Sequence, residues 1–566
     1  VDINTLSVQE ITPQHSDLTL DVNDPGLPIG WSVQLGNYWV YQDSQSWPVI
    51  FNGSGSRRSD PAKKEIPVGN VMSYAAGRLI VALPDRHTYR IGDLLFGPSG
   101  TQANGYRDAV LRFTENDFLN EGGDYQARVF GAPASDGPIT AMHAVAMCDT
   151  QLGQGPLMVG TPYNVFTVSL PFDRTVWKDM TNPMQTNSPL LGPTGQDTMV
   201  LVNTDVWYRS IDGIRSYIMA QRQFQTWGNT PMSAEIWDVL SADTESLLEH
   251  GSSVLFDNRL LTTVAPVPSA GHGIYHLGLA VMDFNLISTM SNKTAPVWEG
   301  VWKDLRILKI LKGMVGSVER CFAYTLSCND EIELWELTTD TCFDGNRTPI
   351  NWGFELPSYN FGNSDQFKRL ETARIILNNI LGDLTGTVKY QSDQHPCWTD
   401  WDSFKACAKM EDCCISRTTT TVGNFTLPVA PGVIQINVAS TDGMSADFTD
   451  LTIGGFTATI VSVDSATTLT LTHYVSKQDN GVVQSGTLIT FCGYDCAGPH
   501  TYREQSRMIR LHSPSDVEHE ISGNYFNRAY EFQPRIDLTG SGEIRQIRLF
   551  AKDEPEILGA NRRDEV

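Results

Sequence analysis

No stretch of this chain approaches the roughly 18 consecutive apolar residues that a membrane-spanning helix needs. The first residues, Val1-Asp2-Ile3-Asn4-Thr5, lack the basic start and apolar run of a secretion signal. Positive charge is scarce: 41 Lys and Arg stand against 65 Asp and Glu, a formal net charge of −24. A dedicated nucleic-acid binder needs clustered cations to neutralise phosphates, so that class is disfavoured. The acidic excess forms no long run and is spread along the chain, as solubility alone would require. Catalytic signatures are missing too. There is no Gly-x4-Gly-Lys-Ser/Thr phosphate loop, no Gly-x-Ser-x-Gly elbow and no His-Glu-x-x-His pair.

What the chain does have is aromatic and β-branched runs closed by turn residues, with 47 glycines and a 10% aromatic share. Residues 1–30 read as an extended arm punctuated by Pro13, Pro25 and Pro28. From 31 to 417 one theme recurs: a short apolar-alternating run, a turn, and a second run. Its representatives are Gly36–Tyr41, Gly77–Leu83, Pro156–Gly160, Asp205–Ser210, Asn258–Leu261 and Glu331–Trp335. Strand units without intervening helices predict an all-β chain, a β-propeller of about six blades. Short helices are expected at Pro231–Leu240, with Ser233 as cap, and at Ser403–Met410.

Residues 418–490 change character, becoming rich in Thr, Val, Ser and Gly. Val433–Val438 and Thr457–Val463 alternate clearly, which predicts an inserted small β-sandwich or barrel of immunoglobulin-like size. Residues 491–566 then return to the parent fold. Arg507–Leu511, Ala529–Gln533 and Glu543–Phe550 read as strands, the last with Arg outward and Ile and Leu inward, before a charged tail from Ala551.

The candidate chemical groups are few. Asp43, Asp93 and Asp212 are carboxylates that a propeller mouth could bring together for glycan chemistry. Ser210-Ile211-Asp212-Gly213 lacks the spacer and Trp of a sialidase Asp-box, so it reads as a hairpin turn. His272 and His276 are four apart, but Gly271 and Gly273 place them in a loop with no carboxylate motif. Trp298 with Trp302, and Trp398 with Trp401, suit sugar stacking or, more simply, packing between strands. Cys397, Cys407, Cys413, Cys414, Cys492 and Cys496 bracket the insert. Cys492-x3-Cys496 supplies one zinc knuckle, but no second knuckle has the right spacing, so structural thiols or disulfides are the simpler reading. No catalytic residue and no cofactor site emerge.

Several segments together resemble the tail-nozzle proteins of short-tailed bacteriophages. They are Asp205–Ser216, Phe256–Leu261, Val281–Phe284, Pro296–Trp302, and Tyr530–Gln533 with Ile544–Phe550. The likeness spans about residues 35–400 and 500–550 and leaves the insert uncovered. It implies a non-enzymatic virion protein, assembled in the host cytoplasm, whose propeller subunits form a homohexameric ring. That ring would sit below a tail adaptor or portal-proximal protein, hold fibres or spikes, and pass genomic DNA without sequence-specific binding. The acidic composition would then suit a channel wall. Other readings are another tail hub or connector component, a carbohydrate-binding or glycan-cleaving propeller, and a cellular propeller scaffold.

Overall fold

The computed structural model describes residues 7–13, 23, 29–94, 109–114, 130–145, 156–169, 171, 173, 176, 184–188, 191–202, 205–217, 231–269, 273–285, 297–338, 343–344, 348–407, 415–426, 432–442, 444, 451–454, 456–473, 482–493, 503–518 and 525–554. The chain divides into two compact units, Val1–Thr338 and Thr339–Val566. The expected arm at 1–30 lies mostly outside the described residues.

The first unit is a succession of antiparallel sheets, each built from strands adjacent in sequence. Sheet A holds Trp31–Leu35, Tyr38–Gln42, Val49–Phe51 and Ser56–Arg58. Sheet B holds Met72–Ala75, Arg78–Ala82, Thr88–Ile91 and Phe130–Gly131. Sheet C holds Ala141–Ala144, Leu157–Thr161, Asn164–Val168 and Met184–Ser188, and sheet D holds Val200–Val202, Asp205–Ser210 and Gly213–Ser216. Sheet E has six strands: Ser253–Phe256, Arg259–Ser269, Gly273–Asp283, Val297–Val315, Val318–Leu326 and Ile332–Leu337. Local chemistry sets the hairpins. Asp257 and Asn258 both have positive φ, at 49° and 56°, and join two strands through a two-residue turn that twists with them. The hairpin turn expected at Ser210–Gly213 is present, but its central residues are Ile211 and Asp212, with Gly213 paired to Ser210.

The apolar clusters straddle consecutive sheets. One joins A, B and C through Leu35, Ile80 and Met142. A second joins C to D through Met158 and Tyr208, and a third joins D to E through Trp207 and Met282. The opening strand of A lies against that of B, B's lies against C's, and D's lies against E's. Between C and D the contact falls to the 3-10 turn Gln196–Thr198. Burying one face of each sheet against the next is what alternating apolar residues demand.

Two expectations change here. The units read at Asn258–Leu261 and Glu331–Trp335 belong to one sheet, so the described residues of the first unit carry five sheets, A to E. The cause is the 19-residue Val297–Val315 strand, whose first half pairs with Gly273–Asp283 and whose second half pairs with Val318–Leu326. The strands between 339 and 417 also belong with the closing strands rather than with sheets A to E.

In the second unit, sheet F is built on the 25-residue strand Lys368–Ser392, roughly 80 Å of extended chain. Phe532–Asp553 runs along one side of it, and Asn351–Glu355 lies beyond. Its other side is shared by Arg503–Leu511 near the start and His395–Cys407 near the end. Residues 403–407 are therefore strand, not helix. Phe404 and Ala406 alternate with exposed Ser403 and Lys405, a period of two that pairs with 383–387. The Pro231–Leu240 stretch does turn helical, as a 3-10 turn at Ala234–Ile236 and one α turn at Trp237–Leu240. Ser233 precedes it but accepts a hydrogen bond from Ile214 N instead of capping.

Residues 415–493 form sheet G, in the order Ile415–Thr420, Leu488–Gly493, Leu451–Ile453, Phe456–Ser465, Thr468–His473 and Gly432–Asn437. Its own core contains Ile436, Leu451, Ile460, Leu471 and Ile489. Its two outer strands meet again beyond their ends. Val422 N donates to Asn437 O at 2.8 Å and Ala439 N to Thr420 O at 2.9 Å.

Candidate functional surfaces

The three candidate carboxylates lie at three different sheets; Asp43 and Asp212 serve their own turns, and Asp93 holds a residue distant in sequence. Asp43, at the end of sheet A's second strand, accepts from Ser46 N at 2.7 Å, Ser46 Oγ at 2.8 Å and Gln45 N at 3.0 Å. Burial pushes its pKa up, but the bonds from Ser46, Gln45 and Asn23 together hold it below the usual carboxylate value. Asp93, 6% exposed, accepts from Thr114 N and Thr114 Oγ1. Asp212 accepts from Ser210 Oγ at 2.7 Å and pairs with the Arg215 guanidinium beside it. Burial again works against ionisation at Asp212, and the bonds from Arg215 and Ser210 outweigh it.

His276 is in the strand Gly273–Asp283, not a loop, and is 1% exposed with Nδ1 at 3.3 Å from Ile307 O. Burial pushes its pKa down to about 4, against the opposing pull of that backbone contact. His272 lies outside the described residues. Among the described residues no group of three His, Cys, Asp or Glu is placed to hold a metal ion.

Cys397 is a free, exposed thiol in His395–Cys407. Cys407 ends that strand and Cys492 lies in Leu488–Gly493, while Cys413, Cys414 and Cys496 fall outside the described residues. Cys321 and Cys328 are also free; Cys321 is buried, and burial pushes its pKa up to about 12.

The tryptophans have mixed roles. Trp298 is half-buried and donates from Nε1 to Met232 O at 3.3 Å, whereas Trp302, on the same strand, is exposed. Trp401 packs edge-on against Tyr390, with ring centroids 5.9 Å apart, and donates to His512 O at 2.6 Å. Arg535 lies over the Trp398 ring at 5.8 Å.

Polar side chains bridge neighbouring sheets of the first unit. The buried Gln42 donates to Asn70 O and accepts from Gly69 N, both at 3.0 Å, linking A to the entry of B. Gln196 does the same with Met142, accepting from its N at 2.8 Å and donating to its O at 2.9 Å. Between D and E, Arg209 and Asp243 form a 3.0 Å ion pair with side chains 3% and 1% exposed. The second oxygen of Asp243 accepts from Ala265 N at 2.7 Å.

Sheet F presents a feature that the linear sequence conceals. Arg374 stands directly opposite Arg510 on one side and Arg548 on the other. All three are exposed, and none has a carboxylate within ion-pair distance among the described residues. The opposite face, with Ala373, Ile375 and Leu377, is core. Outward Arg was legible in Glu543–Phe550; its alignment with two other strands was not, because register is a tertiary property.

No helix among the described residues is long and apolar enough to cross a membrane. No protein-family model matches the chain, and no curated protein matches it. Among solved structures the chain is similar to the CNH domain of AfRom2, at 8% identity over 55% of this chain and 94% of that one, with a TM-score of 0.25.

Proposed function

We propose that this chain is a structural virion protein, the tail-nozzle subunit of a short-tailed bacteriophage that extends and gates the DNA-ejection channel. The carrying observation is the packing order of sheets A to E, opening strand against opening strand except between C and D, where the turn Gln196–Thr198 intervenes. That order supports a β-propeller-type arrangement, in which successive sheets radiate from a common axis. Two segments that resemble nozzle proteins fall on its strands: Asp205–Ser216 makes the D hairpin, and Phe256–Leu261 the first turn of E. Sheet G, with its outer strands rejoined, is an inserted small barrel, suited to contacting fibres or spikes.

The work of such a protein is geometric. Polar bridges such as Gln42 and Arg209–Asp243 make the junctions between sheets specific, so that loops near the axis are held at a fixed bore. A net charge of −24 keeps the phosphates of passing DNA from adhering to the wall. The test is cryo-EM of the particle with which the chain co-purifies. A ring of this chain around a channel continuous with the portal is expected. An isolated monomer that binds or cleaves a glycan would overturn the reading in favour of a carbohydrate-active propeller.

A further inference from the structure

We propose that the arginine face of sheet F is a docking surface for a second copy of this chain, received on the acidic outer edge of its sheet E. This deepens the ring reading and rests on it for the closure of the assembly.

The donor face has an unusual electrostatic arrangement. Like charges directly opposite each other destabilise a sheet, yet Arg510, Arg374 and Arg548 stand in one cross-strand row. The chain has no shortage of carboxylates, with 65 acidic residues against 41 basic. Several other cations of this unit are paired: Arg369 with Asp516, Lys389 with Asp400 and Asp537, Arg528 with Glu554, and Arg535 with Glu355. The three arginines of the row have no such partner among the described residues. Apolar groups flank them: Met508 is 49% exposed, Phe550 is 40% exposed with Arg374 over its ring, and Ile376 is half-buried. Arginine, methionine and aromatic side chains on one flat patch are the composition of a protein interface rather than of a phosphate track.

The receiving strip is the outermost strand of sheet E, Ile332–Leu337, which has one neighbour among the described residues. Ile332 is 64% exposed, and exposed Glu331 and Glu333 beside it have no cation within ion-pair distance among the described residues. Carboxylates at i and i+2 of a strand stand about 7 Å apart, within the about 10 Å that three strands give the arginine row. The two patches are complementary in charge, while the apolar contribution comes from the arginine face, since Ile332 points to the opposite side of its strand from Glu331 and Glu333. A contact between two different patches of two copies generates a ring when it is head-to-tail and its rotation closes.

The experiment is sedimentation of the full chain with Arg374→Glu/Arg548→Glu, with Arg374→Gln/Arg548→Gln, and with the swap that adds Glu331→Arg/Glu333→Arg. Self-association of the parent chain is expected to weaken about tenfold or more in the glutamate variant and to recover in the swap. The glutamine variant is expected to associate more weakly while its sheet F resists denaturant better, since like-charge opposition is relieved. A merely structural role for the arginines would move both readouts together. Several outcomes overturn the proposal: a parent chain that stays monomeric, variants that associate like the parent, or a swap that restores nothing. Binding of a DNA duplex that the glutamate variant alone loses would assign the face to phosphates instead. The nozzle reading fails separately, if the chain is absent from tails while the swap still rescues association.

Discussion

Gln42 offers the sharpest test of how the sheets of the first unit are joined. Its amide bridges two buried backbone groups, Gly69 N–H and Asn70 C=O, each at 3.0 Å. A Cβ on Gly69 would stand 2.3 Å from Ala82 O, so the chain there has no room to shift or to carry its own side chain. Gln42→Leu preserves shape but leaves both groups unsatisfied. At about 1–3 kcal/mol for each orphaned group the expected cost is about 4 kcal/mol.

Gln42→Glu is more informative. One carboxylate oxygen still accepts from Gly69 N–H, but the other faces Asn70 O in a site 1% exposed. The folded-state pKa of that glutamate must rise above its unfolded value of about 4.3. Its stabilising protonated form is then fully present below about pH 4 and is lost as pH rises through the raised value. Relative to the parent chain at the same pH, the variant is expected to lose at least as much stability as Gln42→Leu at pH 7 and to recover most of it near pH 4. Hydrogen exchange over residues 69–82, read by mass spectrometry, reports opening of this junction without assuming that both units unfold together. A Gln42→Leu cost under about 1 kcal/mol, or a Gln42→Glu deficit independent of pH, would refute the bridging argument.

Three further outcomes follow from buried groups. Asp243→Asn strips the charge partner from Arg209 in a pair 1% and 3% exposed, and is expected to destabilise the first unit by about 3–5 kcal/mol in denaturant melts. His276 is held neutral, with its pKa near 4 against an ordinary 6.5, so its contribution is complete above about pH 6.5. It is lost as pH falls from there to about 4, by at most about 3 kcal/mol, and His276→Gln should flatten that part of the stability curve relative to the parent. In thiol titration of the native protein, Cys328 and Cys397 are expected to react at once, and Cys321 only after unfolding.

Strand chemistry was legible in the chain itself wherever it is local. The Asp257-Asn258 and Ile211-Asp212 turns, the alternation at Thr457–Val463 and the outward arginines of Glu543–Phe550 need only neighbouring residues to be read. Short amphipathic runs misled where a longer pairing overrode them, as at Ser403–Cys407, which the register with Lys368–Ser392 holds extended. Grouping of strands into sheets was also beyond the sequence, because one 19-residue strand fuses two apparent units into sheet E. The candidate surfaces divide in the same way. Residue type alone marked Asp43, Asp212 and His276 as candidates for chemistry, but only burial and hydrogen-bond partners showed them engaged in turns and core. Arg374, Arg510 and Arg548 are distant in sequence and ordinary one by one. Pairing of three strands makes them a row, since cross-strand register is decided by the packing of the whole sheet and not by any segment within it.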